Sequence, residues 1–172
     1  MKRLIKALFV SMTLVLSACT PTQKTDETVK RTIRIGTEQF TASLDSALEW
    51  NGWFTVRYGI GETLFKVEDN MEIKPWLVSN AENIDTKTWK LTLRENIKFS
   101  DGTTMDAKSV VDNLHHIAQE NARAGFLKGA EYEIDGYTIT IKTVEPRATL
   151  LSDLSDPMFT MLNLASKEDK AT

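Results

Sequence analysis

Cysteine, histidine and excess positive charge are scarce in this 172-residue chain, which has one cysteine, two histidines and a formal net charge of −3. A single cysteine forms no internal disulfide and builds no thiolate metal site by itself. The absence of a basic excess argues against a nucleic-acid-binding protein. The remaining composition, 41% hydrophobic and 26% charged, is that of an ordinary globular protein with a real core.

Motifs of the common enzyme classes are also missing. The chain contains no GxSxG, HExxH, P-loop or Rossmann glycine pattern. His115 and His116 are neighbours on a predicted helix, where side chains are about 100° apart, so we interpret them as surface imidazoles. One helical turn places Asp112 within reach of His116. We therefore expect a protein that is not an enzyme, with no catalytic residues, no metal site and no cofactor.

The N-terminus has the pattern of a secretory signal. Three basic residues precede a short apolar run, which is too short for a membrane span of about 20 residues. The run ends in Leu16-Ser17-Ala18-Cys19, which resembles a bacterial lipobox. Cleavage before Cys19 would leave its thiol as the lipid attachment point. An ordinary secretory signal with an incidental cysteine, or a retained membrane helix, remains an alternative.

These features predict three regions along the chain. Residues 1–18 form a lipoprotein signal peptide, residues 19–31 form the lipidated Cys19 and a polar tether, and residues 32–172 form the folded part. Stable anchoring requires more than one acyl chain. We expect the protein to be held on the cell membrane by lipid, facing the extracytoplasmic side, at the cell surface or in the periplasm.

Hydrophobic periodicity predicts a mixture of helices and strands, of α/β or mixed α+β class. Predicted strands cover Thr32–Gly36, Leu64–Val67 and Trp89–Arg94, and a hairpin over Tyr132–Ile141 has Asp135-Gly136 in a type I′ turn. Predicted helices begin near Gly52 and loosen near Gly59, span Asp106–Asn121, and span Ala148–Leu154. Asp106 is the predicted N-cap of the middle helix.

Aromatic side chains crowd one short stretch, where Trp50, Trp53, Phe54 and Tyr58 are joined by Arg57. From the residues alone, we favour a core stripe, because buried aromatics usually anchor cores. The alternative is a cleft wall that stacks on a ligand, with the Arg57 guanidinium binding a carboxylate.

Two longer runs carry a family resemblance. The first combines residues 61–67 (GETLFKV) with 73–77 (IKPWL), and the second is residues 88–103 (TWKLTLRENIKFSDGT). Together they resemble family 5 extracellular solute-binding proteins, the peptide- and nickel-binding components of ABC importers. The resemblance extends from about Ile33 to Leu164.

The resemblance implies a two-lobed, type II periplasmic-binding-protein-like fold, of which residues 32–172 are an N-terminal fragment within the first lobe. The implied function is capture of oligopeptides for delivery to permease subunits driven by cytoplasmic ATPases. Alternatives are a nickel- or metal-complex-binding member of the family, and a truncated lipid-anchored interaction domain without a ligand.

The resemblance also implies which residues face the cleft: Trp53, Phe54, Arg57, Tyr58, Phe126, Asp156 and Met158. Nickel-type members tend to have Leu-Pro-Arg-Pro where this chain has Ser155-Asp156-Pro157-Met158. The missing arginine argues against a chelated-nickel ligand. Asp156 is instead a candidate to face a peptide amine.

Overall fold

A computed structural model describes residues 32–34, 36–37 and 43–168, without the side chains of residues 167 and 168. The chain divides into two compact units, residues 1–37 and residues 38–172. In the first unit the described residues adopt no regular secondary structure.

The predicted strand over Thr32–Gly36 is not observed. Residues 32–34 and 36 are not in a strand, and Ile35 lies outside the described residues. A strand needs a hydrogen-bonded neighbour, which local alternation of side chains does not supply. The predicted signal peptide, Cys19 and tether also lie outside the described residues.

The second unit contains six strands and four short or medium α-helices within residues 43–168. The strands are β1 (Phe65–Val67), β2 (Ile73–Pro75), β3 (Val78–Asn83), β4 (Thr88–Leu93), β5 (Glu131–Asp135) and β6 (Thr138–Lys142). The α-helices are α1 (Asn51–Arg57), α2 (Ala107–Glu120), α3 (Leu150–Asp153) and α4 (Ala165–Glu168). Two 3₁₀ helices cover Ala122–Leu127 and Pro157–Phe159.

The larger sheet has four antiparallel strands in the order β3-β4-β6-β5, and β1 pairs with β2 separately. Leu91 lies opposite Ile139, and both are fully buried. The predicted alternation of β4 is confirmed, because Leu91 and Leu93 are buried while Lys90 is exposed. One sheet face therefore packs on the core and the other faces solvent.

The β5–β6 hairpin is confirmed, but its turn lies one residue later than predicted. Asp135 pairs with Thr138, so Gly136 and Tyr137 are the two loop residues. Within the turn only Gly136 has a positive φ, 59°. A type I′ turn requires positive φ at both loop residues, whereas type II′ requires it at the first only. The predicted type I′ turn is therefore wrong, and the pattern is that of type II′.

Helix α2 forms as predicted, because both its cap and its apolar stripe are present. The Asp106 carboxylate accepts the Ser109 backbone N–H at 2.7 Å, and the Ser109 hydroxyl accepts the Asp106 backbone N–H at 3.0 Å. This reciprocal pair is a capping box. The residues of the predicted stripe are all buried: Ala107, Val110, Val111, Leu114, Ile117 and Ala118.

The prediction that His116 meets Asp112 is wrong. Asp112 pairs with Lys108 at 2.6 Å, one turn toward the N-terminus. His116 Nε2 instead lies 3.0 Å from the carboxylate of Asp45, which is itself buried. The partner is 71 residues away in sequence, so no helical spacing predicts it. The contact joins α2 to the segment that leads into α1.

Candidate ligand-binding surface

Helix α1 exposes its aromatic side chains because its opposite side is occupied. Asn51, Gly52 and Thr55 are buried, and they lie within about 100° of one another on the helix. The Gly52 Cα approaches the Pro157 backbone so closely that a Cβ built there would lie 2.2 Å from the Pro157 oxygen. Close packing against the second 3₁₀ helix therefore fixes which side of α1 faces outward.

The outward side carries a cluster that we call the aromatic face, consisting of Trp50, Trp53, Phe54, Arg57 and Tyr58. The Trp50 and Trp53 side chains are 64% and 44% exposed, and Arg57 is also exposed. Phe54 and Tyr58 are half-buried, and their rings stack with centroids 6.5 Å apart. The interpretation of this stretch as a core stripe is wrong for the two tryptophans, since α1 buries small and polar residues instead.

Asp156, also predicted to face the ligand, is engaged within the structure. Its carboxylate pairs with the Arg123 guanidinium and accepts the Met158 backbone N–H at 3.0 Å. Contact with a peptide amine would therefore compete with Arg123 for the same carboxylate. The ligand-side role of Asp156 stays a prediction, and Arg123 is a partner that sequence spacing does not indicate.

The last two predicted ligand-side residues are more enclosed. Phe126 is half-buried, its ring is covered by the Arg147 guanidinium at 4.2 Å, and it packs on Phe159. Arg147 also donates from Nε to Asp153 at 2.7 Å, and this hydrogen bond raises the pKa of the guanidinium. Met158 is 5% exposed and belongs to the core. The structure thus brings Trp53, Phe54, Arg57 and Tyr58 together but leaves Met158 little surface for a ligand.

A depression of about 270 Å³ adjoins the aromatic face at Trp50. Its lining consists of Ala47, Glu49, Trp50, Glu120, Asn121, Ala122 and Arg123. The Asn121 amide donates to the Ala47 oxygen at 3.0 Å and its oxygen accepts the Arg123 N–H at 3.0 Å. These bonds hold the two walls in place. Glu49 lies before α1, far in sequence from Glu120 and Arg123, so neither periodicity nor motif spacing identifies these three residues as one set.

The aromatic face and the depression have the composition of an organic-ligand surface. Exposed aromatic rings offer stacking area, and Arg57 offers a bidentate carboxylate partner. Within residues 43–168 and the few described before them, no three His, Cys, Asp or Glu side chains are grouped as metal ligands. In the same part of the chain, no helix has the length and apolarity that a membrane crossing requires.

Comparison with known proteins gives a family match over much of this structure. A profile of the bacterial extracellular solute-binding proteins, family 5, matches residues 72–172. The chain is 28% identical over 115 residues to the nickel-binding protein NikA of Staphylococcus aureus, a match covering 66% of this chain and 23% of that protein. It is 30% identical over 113 residues to the glutathione-binding protein GsiB of Escherichia coli O1:K1, a match covering 61% of this chain and 22% of that protein.

Solved structures agree with the sequence comparison. The crystal structure of a nickel ABC transporter from Bacillus halodurans aligns with a TM-score of 0.68 and 33% identity, covering 74% of this chain and 27% of that one. This likeness confirms the predicted mixed class and the type II periplasmic-binding-protein fold. The chain spans about a quarter of the length of these relatives.

Proposed function

The chain belongs to the bacterial extracellular solute-binding proteins of family 5, and from this membership we propose that the protein captures a small solute for an ABC importer. Capture takes place outside the cytoplasmic membrane, and the loaded protein delivers the solute to permease subunits that cytoplasmic ATPases drive. The aromatic face supplies one wall of the binding site. The observation that supports this wall is the exposure of Trp50 and Trp53 beside Arg57 on one side of α1.

We propose a peptide or peptide-like molecule as the solute. Arg57 binds a carboxylate of the solute, and the indole of Trp53 covers its apolar part. The relative named as a glutathione-binding protein supports this choice, since glutathione is a small peptide. A nickel complex is the second candidate, supported by the relatives whose names include nickel.

Native mass spectrometry of the protein made from its complete gene tests the choice of solute. We expect an added mass that matches a small peptide and disappears on mild denaturation. Stoichiometric nickel with an organic chelator and no peptide would overturn the peptide choice. If no solute is retained and a peptide and metal-chelate panel does not bind, the interaction-domain alternative is favoured.

Binding of the retained solute to variants of the aromatic face tests the site. Arg57→Ala should weaken binding about 10-fold or more, because loss of a charge-assisted hydrogen bond costs about 1.5–3 kcal/mol. Lys90→Ala is the matched control, since Lys90 is an exposed cation on β4. Equal affinities of the two variants and the wild type by calorimetry would remove Arg57 from the site.

Anchoring through Cys19 is proposed separately from solute binding. We expect the wild-type protein to fractionate with membranes and to incorporate an alkyne-labelled fatty acid. Cys19→Ala should lose the label and the membrane association, whereas the neighbouring Thr20→Ala should keep both. Membrane retention of Cys19→Ala at the wild-type level would contradict the lipid anchor, and it would leave the solute-binding proposal intact.

A further inference from the structure

The depression beside Trp50 carries an excess of negative charge. Glu49 and Glu120 line it, and no ion pair among the side chains that the structure describes includes either of them. The one cationic side chain in the lining is Arg123, whose guanidinium pairs with Asp156. The positive charge of the lining is thus already compensated, while the two glutamates are not.

The C-terminal end of α2 adds to this negative potential. The helix is 14 residues long, ends at Glu120 and has no basic residue in its last turn. Carbonyl groups at a helix C-terminus carry a partial negative charge that favours a nearby cation. The end of α2 forms one wall of the depression, so its carbonyl dipoles have the same sign as the two glutamates.

Trp50 provides an aromatic surface at the same place. Its side chain is 64% exposed and lines the depression. The face of an indole attracts organic cations more strongly than any other side-chain ring does. A volume of about 270 Å³ admits an ammonium group with its aliphatic stem, because one water molecule takes about 30 Å³.

We propose that the depression is the subsite for an organic ammonium group of the solute. The ammonium lies against the Trp50 indole and between the carboxylates of Glu49 and Glu120. This inference rests on the proposed function, because it assigns one chemical group of the captured solute to one part of the site. Two carboxylates and an indole are fewer ligands than a protein-bound metal ion takes, so the subsite suits an amine.

The test uses the complete protein and two probes, the tripeptide Lys-Ala-Ala and its Nα,Nε-diacetylated form. We expect Lys-Ala-Ala to bind at least 10-fold more tightly than the diacetyl form in low salt. The preference should shrink as salt rises, because mobile ions screen exposed charges. Glu49→Gln combined with Glu120→Gln should remove the preference. Glu133→Gln, an exposed glutamate on β5, should preserve it.

The outcomes separate this inference from the proposed function. If both probes bind equally and the double variant changes neither, the ammonium subsite is wrong, while the binding function stands. If neither probe binds the wild type, the subsite is also wrong, and a solute retained in the native mass spectrum would still support capture. If the wild-type protein retains no solute and binds neither probe nor any member of the panel of peptides and metal chelates, both proposals are wrong.

Discussion

Replacing Gly52 by alanine tests whether close packing holds the aromatic face outward. A Cβ at this position would lie 2.2 Å from the Pro157 oxygen, 2.5 Å from its carbonyl carbon and 2.8 Å from the Met158 nitrogen. All three are backbone atoms, so no side chain can rotate away. Relieving contacts this short requires a backbone shift of about 1 Å, since carbon contacts are optimal at about 3.5–4.0 Å.

The expected loss of stability from Gly52→Ala follows from two opposing effects. Overpacking costs about 1–3 kcal/mol. We expect a cost of about 3 kcal/mol here, because the contacted atoms belong to the backbone of Pro157 and Met158. Alanine gains about 1 kcal/mol over glycine within a helix, which leaves a net loss of about 2 kcal/mol. In a domain of 150–250 residues the thermal midpoint would fall by roughly 4–8 °C, because such domains lose about 2–4 °C per kcal/mol, and the midpoint of a longer protein falls by less.

The measurement is thermal unfolding of the complete protein, with hydrogen exchange to locate the change. Exchange should accelerate in α1 and around Pro157. Gly125→Ala is the control, because a Cβ there would meet nothing within 4 Å. If Gly52→Ala is as stable as Gly125→Ala, the close approach does not fix the orientation of α1, and the account of the exposed tryptophans fails.

Two further predictions concern the scaffold. Asp106→Ala should lower the free energy of unfolding by about 1 kcal/mol in urea titration, because it removes an N-cap. Asp112→Ala, which removes an exposed ion pair with Lys108, should change it by less than about 0.5 kcal/mol; equal effects would contradict the capping role. Tyr132 has a buried hydroxyl with no hydrogen-bond partner among the described residues, and burial raises its pKa to about 12. Folding favours the neutral phenol, so stability should fall as pH rises from about 10 toward 12. Tyr132→Phe should remove this alkaline loss and leave stability at pH 7 equal or about 1 kcal/mol higher; a clear loss at pH 7 would show that the hydroxyl has a partner.

Elements with strong local patterns are predictable from this sequence. In β4 and α2 the apolar residues recur at the spacing of the strand or helix, so the sequence alone shows which side of each element is buried. Helix α1 is different, because its aromatic side chains fit either a core or an exposed cleft wall. Its exposure depends on Gly52 meeting Pro157, a contact between segments far apart in sequence.

The candidate site is only partly predictable for the same reason. Trp53, Phe54, Arg57 and Tyr58 follow one another on one helix, so their proximity is visible in the sequence. The pairing of Arg123 with Asp156 joins segments 33 residues apart. Glu49 and Glu120 line one depression only because α2 packs against the segment before α1, so no sequence spacing identifies that depression.

The central claim, that the aromatic face is a wall of the solute site, is tested most directly by hydrogen exchange on the complete protein with and without its retained solute. We predict that solute binding slows exchange in residues 45–58, which include α1 and the segment leading into it. Slowed exchange elsewhere in the protein, with residues 45–58 unchanged at saturating solute, would contradict the claim.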